Sequence, residues 1–190
     1  MNQNGHGREP VPPPEKKDTR ENRAGSPEDC FVMMETARLR IRVLSDEEMV
    51  RFIQTQTDEE LIEAYKEMLQ GSVEHPEQRV WYAIWSIERK DGTSVGDLCF
   101  KGPPENGAVE IGYGILPEHI GNGYATEAVG AAVKWALRQT GVLCVEAETG
   151  PDNSASQRVL EKCGFVSNGA YGEEGPRFAR AAEQKRKMIV

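Results

Sequence analysis

The chain has 190 residues, 38% hydrophobic, 28% charged and 7% aromatic, enough for one domain with a real core and too few for two of ordinary size. Its 23 basic residues face 31 acidic ones, a formal charge of -8. That balance argues against gripping nucleic acid by phosphate neutralisation and suits a cationic or amine-bearing partner.

No stretch approaches the roughly 18 consecutive apolar residues of a membrane-spanning helix, and the start MNQNGHGREP lacks the apolar centre of a secretory signal. No membrane association is expected. Cys30, Cys99, Cys144 and Cys163 form no metal-type pair and read as reduced thiols of a cytoplasmic protein. Residues 1–32 hold five of the 11 prolines and only six hydrophobic residues. Such a segment cannot offset its own ordering entropy, so a disordered tail is expected there, with a single domain over residues 33–190.

Leu39-Arg-Ile-Arg-Val43 alternates with the period of a half-buried strand. Ser45 with Glu48 three residues on predicts a capping box. Asp58 to Gln70 reads as a helix with Leu61, Ile62, Tyr65, Met68 and Leu69 on one stripe, stopped by Gly71. Trp81 to Glu88 predicts a strand, Lys90-Asp-Gly-Thr93 a hairpin turn and Val95 to Lys101 its partner, followed by a strand over Val109 to Leu116.

The segment Pro117 to Ala128 opens a long helix directly after that strand. Ala125, Ala128, Val129, Ala132, Val133 and Ala136 make one continuous stripe of mostly small residues, which lets a helix lie close to a sheet. Gly121 and Gly123 at its start permit backbone angles closed to other residues. The unpaired amides there form an anion site suited to phosphate, although a Gly-x-Gly turn also reads as a plain helix cap. Cys144 to Glu148 is then a strand and Asp152 to Gly164 a capped helix, so two strand-turn-helix units follow one another and their strands should run parallel.

Three blocks carry a resemblance: Glu110-Ile-Gly-Tyr113, Gly121-Asn-Gly-Tyr-Ala-Thr-Glu-Ala128, and Asn153-x-x-Ser156-x-x-Val159-Leu-Glu-Lys162-x-Gly164-Phe165. In this order and spacing the chain resembles the GCN5-related N-acetyltransferases (GNAT family), over about residues 35 to 180. It looks most like the branch of the ribosomal-protein alanine acetyltransferases (RimJ/RimL-like). The resemblance implies an α/β (α+β) fold, a mixed, centrally splayed sheet of six to seven strands flanked by about four helices. It also implies acetyl-coenzyme A as cosubstrate, a primary amine as acceptor and a ternary complex. A homodimer is compatible with it. By the same resemblance, Gly121, Asn122, Gly123, Tyr124, Ala125 and Thr126 hold the pyrophosphate, Ile115 supplies backbone near the thioester, and Asn153 both caps its helix and contacts the coenzyme. Ile120 stands where the family usually has a polar residue.

Acyl transfer needs a neutral amine, and with an amine pKa of about 10.4 only about one molecule in 2,500 is neutral at pH 7, a deficit of roughly 4.6 kcal/mol. By the resemblance Glu110, in the strand block where the family's base often sits, is the candidate base, or else a solvent-side or salt-bridged strand residue. It shares a strand face with Gly112, while Ile111 and Tyr113 share the other. Many family members carry a tyrosine where Leu160 stands here; resemblance to the ribosomal-protein branch points instead to Ser156, three residues after Asn153, as candidate acid, or else as a simple helix-start hydroxyl. His6, His75 and His119 form no ligand cluster and no metal is expected. Trp81, Trp85 and Trp135 read as core or rim aromatics, and Cys163 as a buried thiol. A non-catalytic acyl-coenzyme A sensor is the competing reading.

Overall fold

The protein is described by a computed structural model covering residues 33–182. The tail expected over residues 1–32 lies outside the described residues. Strands β1 (Met33–Glu35) and β2 (Leu39–Val43) pair antiparallel. In β2 the alternation holds, with Leu39, Ile41 and Val43 buried and Arg40 and Arg42 on the other face. Helix α1 (Asp46–Gln54) begins at the expected capping box: Ser45 accepts from the Glu48 amide and the Glu48 carboxylate accepts from the Ser45 amide.

Helix α2 (Glu59–Glu74) is capped by Asp58. Its stripe buries Tyr65 and partly buries Ile62, Met68 and Leu69, while Leu61 is 47% exposed. Gly71, expected to stop the helix, lies inside it. A Cβ there would sit 2.6 Å from Cδ1 of Tyr82, so the glycine admits the Tyr82 ring, which stacks on His75 at 5.0 Å. A second expectation shifts as well. The strand begins at Trp85, not Trp81, because Pro76–Trp81 is a short 3-10 helix that delivers Trp81 against Phe100 and Trp135, each at 5.2 Å.

Strand β3 (Trp85–Arg89) turns through Asp91 and Gly92 into β4 (Ser94–Phe100), with Gly92 at φ 87° and the Thr93 amide donating to Asp91. Strand β5 (Ala108–Ile115), helix α3 (Tyr124–Ala136), strand β6 (Cys144–Glu148) and helix α4 (Ser154–Lys162) follow, then the hairpin β7 (Val166–Tyr171) and β8 (Pro176–Ala181). The eight strands are ordered β1-β2-β3-β4-β5-β6-β8-β7. Among the described residues that is one or two strands more than the six to seven expected, beside the expected four helices. The β5–β6 pair is parallel, and the other neighbours are antiparallel.

The sheet has two unlike faces. On one, Ala128, Val129, Ala132, Val133 and Ala136 of α3 are fully buried, and Trp135 packs among Trp81, Trp85 and Phe100. Small residues bring the α3 backbone close and the aromatics fill the remaining volume. The other face of the sheet carries Arg42, Ser86, Asp97, Cys99 and Glu110, and α2 reaches it through Tyr65.

Replacing a helical glycine by alanine ordinarily stabilises by about 1 kcal/mol. At Gly71 the pinned Tyr82 ring reverses that sign, because overpacking costs about 1–3 kcal/mol. Gly71→Ala should lower the thermal midpoint in a calorimetric scan, and pairing it with Tyr82→Ala should return the ordinary gain.

Candidate functional site

The parallel pairing of β5 and β6 lasts three residues and ends at Glu110↔Glu146. Strand β5 continues to Ile115, still paired with β4 on its other edge through Phe100↔Ile111 to Gly96↔Ile115. From Ile111 onward its β6-facing edge is therefore unpaired, and backbone amides and carbonyls there are left to be met by something else. The splay expected between these strands is present, and it opens a cleft of about 190 Å³ lined by Ile111, Gly112, Tyr113, Thr149, Asn153 and Ser156 among others. Gly96 fits this bend: a methyl group there would lie 2.1 Å from the Gly114 carbonyl oxygen.

Beyond the end of β5, Gly121 and Gly123 have φ of 84° and 78°, the left-handed region that favours glycine. Gly123 caps α3 without a side chain, so the first amides of the helix, those of Tyr124, Ala125 and Thr126 among them, lack partners within it. The Asn122 amide group donates to the His119 carbonyl at 3.0 Å and stiffens the turn from within. Arg38 arrives from the β1–β2 turn. It donates to the Asn122 carbonyl at 2.9 Å, lies over the Tyr124 ring at 4.8 Å and pairs with Glu127 at 2.6 Å. Glu127 also accepts from the Thr36 hydroxyl and the Arg38 amide, and these bonds hold its carboxyl below the usual range against the opposing effect of its burial. Nothing in the sequence pattern singles out Arg38, because its partners lie 84 to 89 residues away.

On the far wall of the cleft Asn153 caps α4, its Oδ1 accepting from the Ser156 amide at 3.0 Å. The Ser156 hydroxyl is 2.9 Å from the Tyr113 hydroxyl, which also donates to the Ser156 carbonyl. Tyr113 was visible in the second strand face beside Glu110, but its meeting with α4 was not. Leu160 is fully buried in the core, and Cys163, also buried, donates from Sγ to the Thr126 carbonyl at 3.4 Å, tying α4 to α3.

Glu110 points to the opposite face from Tyr113, into a row of charges. Its two oxygens pair with Lys101 Nζ at 2.7 Å and Arg177 at 2.6 Å. The salt-bridged reading of this residue is thus the one its geometry displays, and accepting a proton there requires a cation to move off. Arg177 also reaches Glu146 at 3.2 Å and Glu148 at 3.5 Å. Glu148 accepts further from the Glu174 and Gly175 amides, which hold its carboxyl below the usual range.

One strand further in, Asp97 Oδ2 accepts from the Tyr65 hydroxyl at 3.0 Å. Burial pushes this carboxyl up to about 6, and the tyrosine bond pulls it partly back. A lone acid inside the apolar run Val95 to Phe100 was the sequence signal for Asp97. His119 stands apart from these groups, half-exposed at 6.3 Å from the Tyr124 ring. The tryptophans all belong to the aromatic core. Among the described residues no group of His, Cys, Asp and Glu is placed to hold a metal ion, and no helix is long and apolar enough to cross a membrane.

Residues 34–166 match the family described as the acetyltransferase (GNAT) domain. The uncharacterized N-acetyltransferase YjdG of Bacillus subtilis strain 168 is 41% identical over 86 residues, which are 44% of this chain and 51% of YjdG. The chain thus spans about half the length of that relative. YoaA of the same organism, also an uncharacterized N-acetyltransferase, is 29% identical over 73% of this chain and 85% of its own length. Among solved structures, Mycobacterium smegmatis RimJ in complex with a coenzyme A disulfide superposes with a TM-score of 0.60 at 19% identity, covering 77% of this chain and 83% of that one.

Glu110 and Glu146 lie directly opposite each other, and like charges so placed repel. Arg177 relieves this, so Arg177→Met should cost about 1–2 kcal/mol, allowing for its partial exposure. The thermal midpoint should drop by about 2–8 °C at pH 7. The deficit should shrink at low pH, once the Glu148 carboxyl, held below its ordinary value by the Gly175 and Glu174 amides and by Arg177, is protonated and its part of the pairing is lost in both proteins, which a pH series of melting curves checks.

Proposed function

As the chain belongs to the GNAT family of N-acetyltransferases, matched over residues 34–166, we propose that it moves the acetyl group of acetyl-coenzyme A to a primary amine by direct transfer in a ternary complex. The acceptor is a protein N-terminus or a small-molecule amine. The observation that carries this reading is the unpaired edge of β5 from Ile111 to Ile115 leading to the glycine turn. An extended ligand with its own amides adds to such an edge as a strand would, and pantetheine is a ligand of that kind. The pyrophosphate then meets the turn and the first amides of α3, from Gly121 to Thr126, where the helix dipole and unpaired N–H groups favour an anion. Arg38 adds a cation at this end, moderated by Glu127.

Carbon–nitrogen bond formation places negative charge on the thioester oxygen, for which backbone amide donors near Ile115 are the proposed partners. Carbon–sulfur cleavage leaves a thiolate, and Ser156 is proposed to donate to it, its oxygen then accepting from the Tyr113 hydroxyl in place of the Ser156 carbonyl. Asn153 sets the start of α4 that presents Ser156 and is proposed to contact the coenzyme. On the acceptor side, Glu110, Glu146, Glu148 and Glu174 outnumber Lys101 and Arg177, a surplus of negative charge that favours a protonated amine on approach.

Thiol release from acetyl-coenzyme A with a panel of primary amines tests the reading. Turnover supports it, and calorimetric binding without turnover for any amine would favour the sensor. Gly123→Val should raise the coenzyme dissociation constant about tenfold, near 1.4 kcal/mol, because a β-branched residue at φ 78° distorts the turn. Ser156→Ala should lower turnover and leave coenzyme affinity unchanged; full activity with chemistry rate-limiting would end the acid role.

A further inference from the structure

Resting on the amine-transfer reading, we infer that Asp97, held by Tyr65, is the carboxylate that removes the proton from the incoming ammonium group. Asp97 sits directly across the β4–β5 ladder from Gly114, one residue before Ile115, where the thioester carbonyl is proposed to lie. On this face β5 presents Gly112 and Gly114, and Gly114 is exposed. No side chain of β5 therefore stands between Asp97 and the reacting carbon. A methyl group at Gly114 would be 3.7 Å from Asp97 Oδ1, ordinary contact distance, so a small amine substituent fits beside the carboxylate.

The two oxygens of Asp97 have different tasks. Oδ2 is fixed by the Tyr65 hydroxyl. Oδ1 has no hydrogen-bond partner among the described residues, and it is not sealed from solvent, since no buried polar side-chain atom there lacks a partner. Glu110 differs on this same face, with both oxygens held by cations.

The groups around Asp97 are few. Tyr65 faces it from α2, and Cys99 from its own strand carries a thiol pushed up to about 12 by burial, so it stays neutral. Ser86 lies opposite on β3 and donates to Glu88. Glu88 is engaged by Arg42, which also pairs with Glu48. Beyond Gly112, Lys101 and Glu110 are paired with each other. No cation touches Asp97 directly, and burial leaves its carboxyl near 6, ionised at neutral pH yet a better proton acceptor than an exposed acid.

The proton count closes. The ammonium gives one proton to Asp97, which returns it to water; the neutral nitrogen forms its bond to the acetyl carbon; the carbon–sulfur bond breaks, and the thiolate takes the second proton that the nitrogen sheds.

The test is the pH dependence of thiol release at saturating acetyl-coenzyme A, with spermidine, an alanine-initiated peptide and kanamycin as probes. For the wild type the rate should rise through an ionisation near 6. Asp97→Asn should abolish that limb and lower the rate at pH 7 by about 10²- to 10⁴-fold, with coenzyme affinity by calorimetry unchanged and the loss shrinking at high pH. Tyr65→Phe removes the bond that favours the ionised carboxylate, so the limb should move to higher pH while the high-pH rate survives. A merely structural tyrosine would not produce that shift. Unchanged rate and limb in Asp97→Asn, a limb that stays in place in Tyr65→Phe, or a limb lost in Glu110→Gln but kept in Asp97→Asn would overturn the assignment and leave amine transfer standing. A wild type that binds coenzyme yet turns over none of the probes would overturn amine transfer itself, and this assignment with it.

Discussion

The rest of the structure hangs on the point where β5 and β6 part. Parallel strands are held by evenly spaced hydrogen bonds, and here the ladder stops at Glu110↔Glu146. Two carboxylates face each other across the last paired position, so the repulsion that would pry the sheet further apart is concentrated there. Arg177, delivered by β8 on the far side of β6, reaches Glu110, Glu146 and Glu148 together and limits the splay to the residues beyond. The cleft exists because the pairing ends, and it stays narrow because a cation from a third strand holds its inner end.

The two faces of the sheet divide the labour on either side of that cleft. The α3 face is built from small helix residues and an aromatic cluster, which brings the helix close and aims its N-terminus past the end of β5. Glu127 and Arg38 then lash that N-terminus to the β1–β2 turn. This leaves the glycine turn conformationally special but not loose, since the β1–β2 turn, 84 to 89 residues away in the chain, is tied to it. The opposite face carries nearly all the charge near the cleft, much of it in mutual pairs.

Asp97 and Glu110 show how environment separates two carboxylates on one face. Glu110 is surrounded by cations that satisfy both oxygens. Asp97 is half-buried beside a neutral hydroxyl, and desolvation without a counter-charge works against the ionised form. The same side-chain chemistry thus yields a structural anchor at one position and a titratable group at the other.

Much of the architecture was legible along the chain. The alternation of Leu39 to Val43, the Ser45–Glu48 capping box, the small-residue stripe of α3, the glycine turn and the Asn153 cap depend on residues within one or two turns of each other, and local sequence carries them. Misread positions were those decided by distant partners. Gly71 is a helix interior because Tyr82 needs its space, and Trp81 leaves the strand for a place between Phe100 and Trp135. Within the site, Gly121, Gly123, Asn153 and Ser156 could be named in advance. That Glu110 is ion-paired by Lys101 and Arg177, that Tyr113 meets Ser156, that Arg38 reaches the glycine turn and that Tyr65 holds Asp97 could not. By itself the sequence determined most of the strands and helices between Leu39 and Gly164 and which turn offers free amides, since backbone preference and hydrophobic period act over a few residues. Only the tertiary structure decided which charges are paired and which carboxylate lacks a counter-charge, because Coulomb attraction and desolvation depend on distance in space, and the partners here lie 9 to 89 residues apart in the chain.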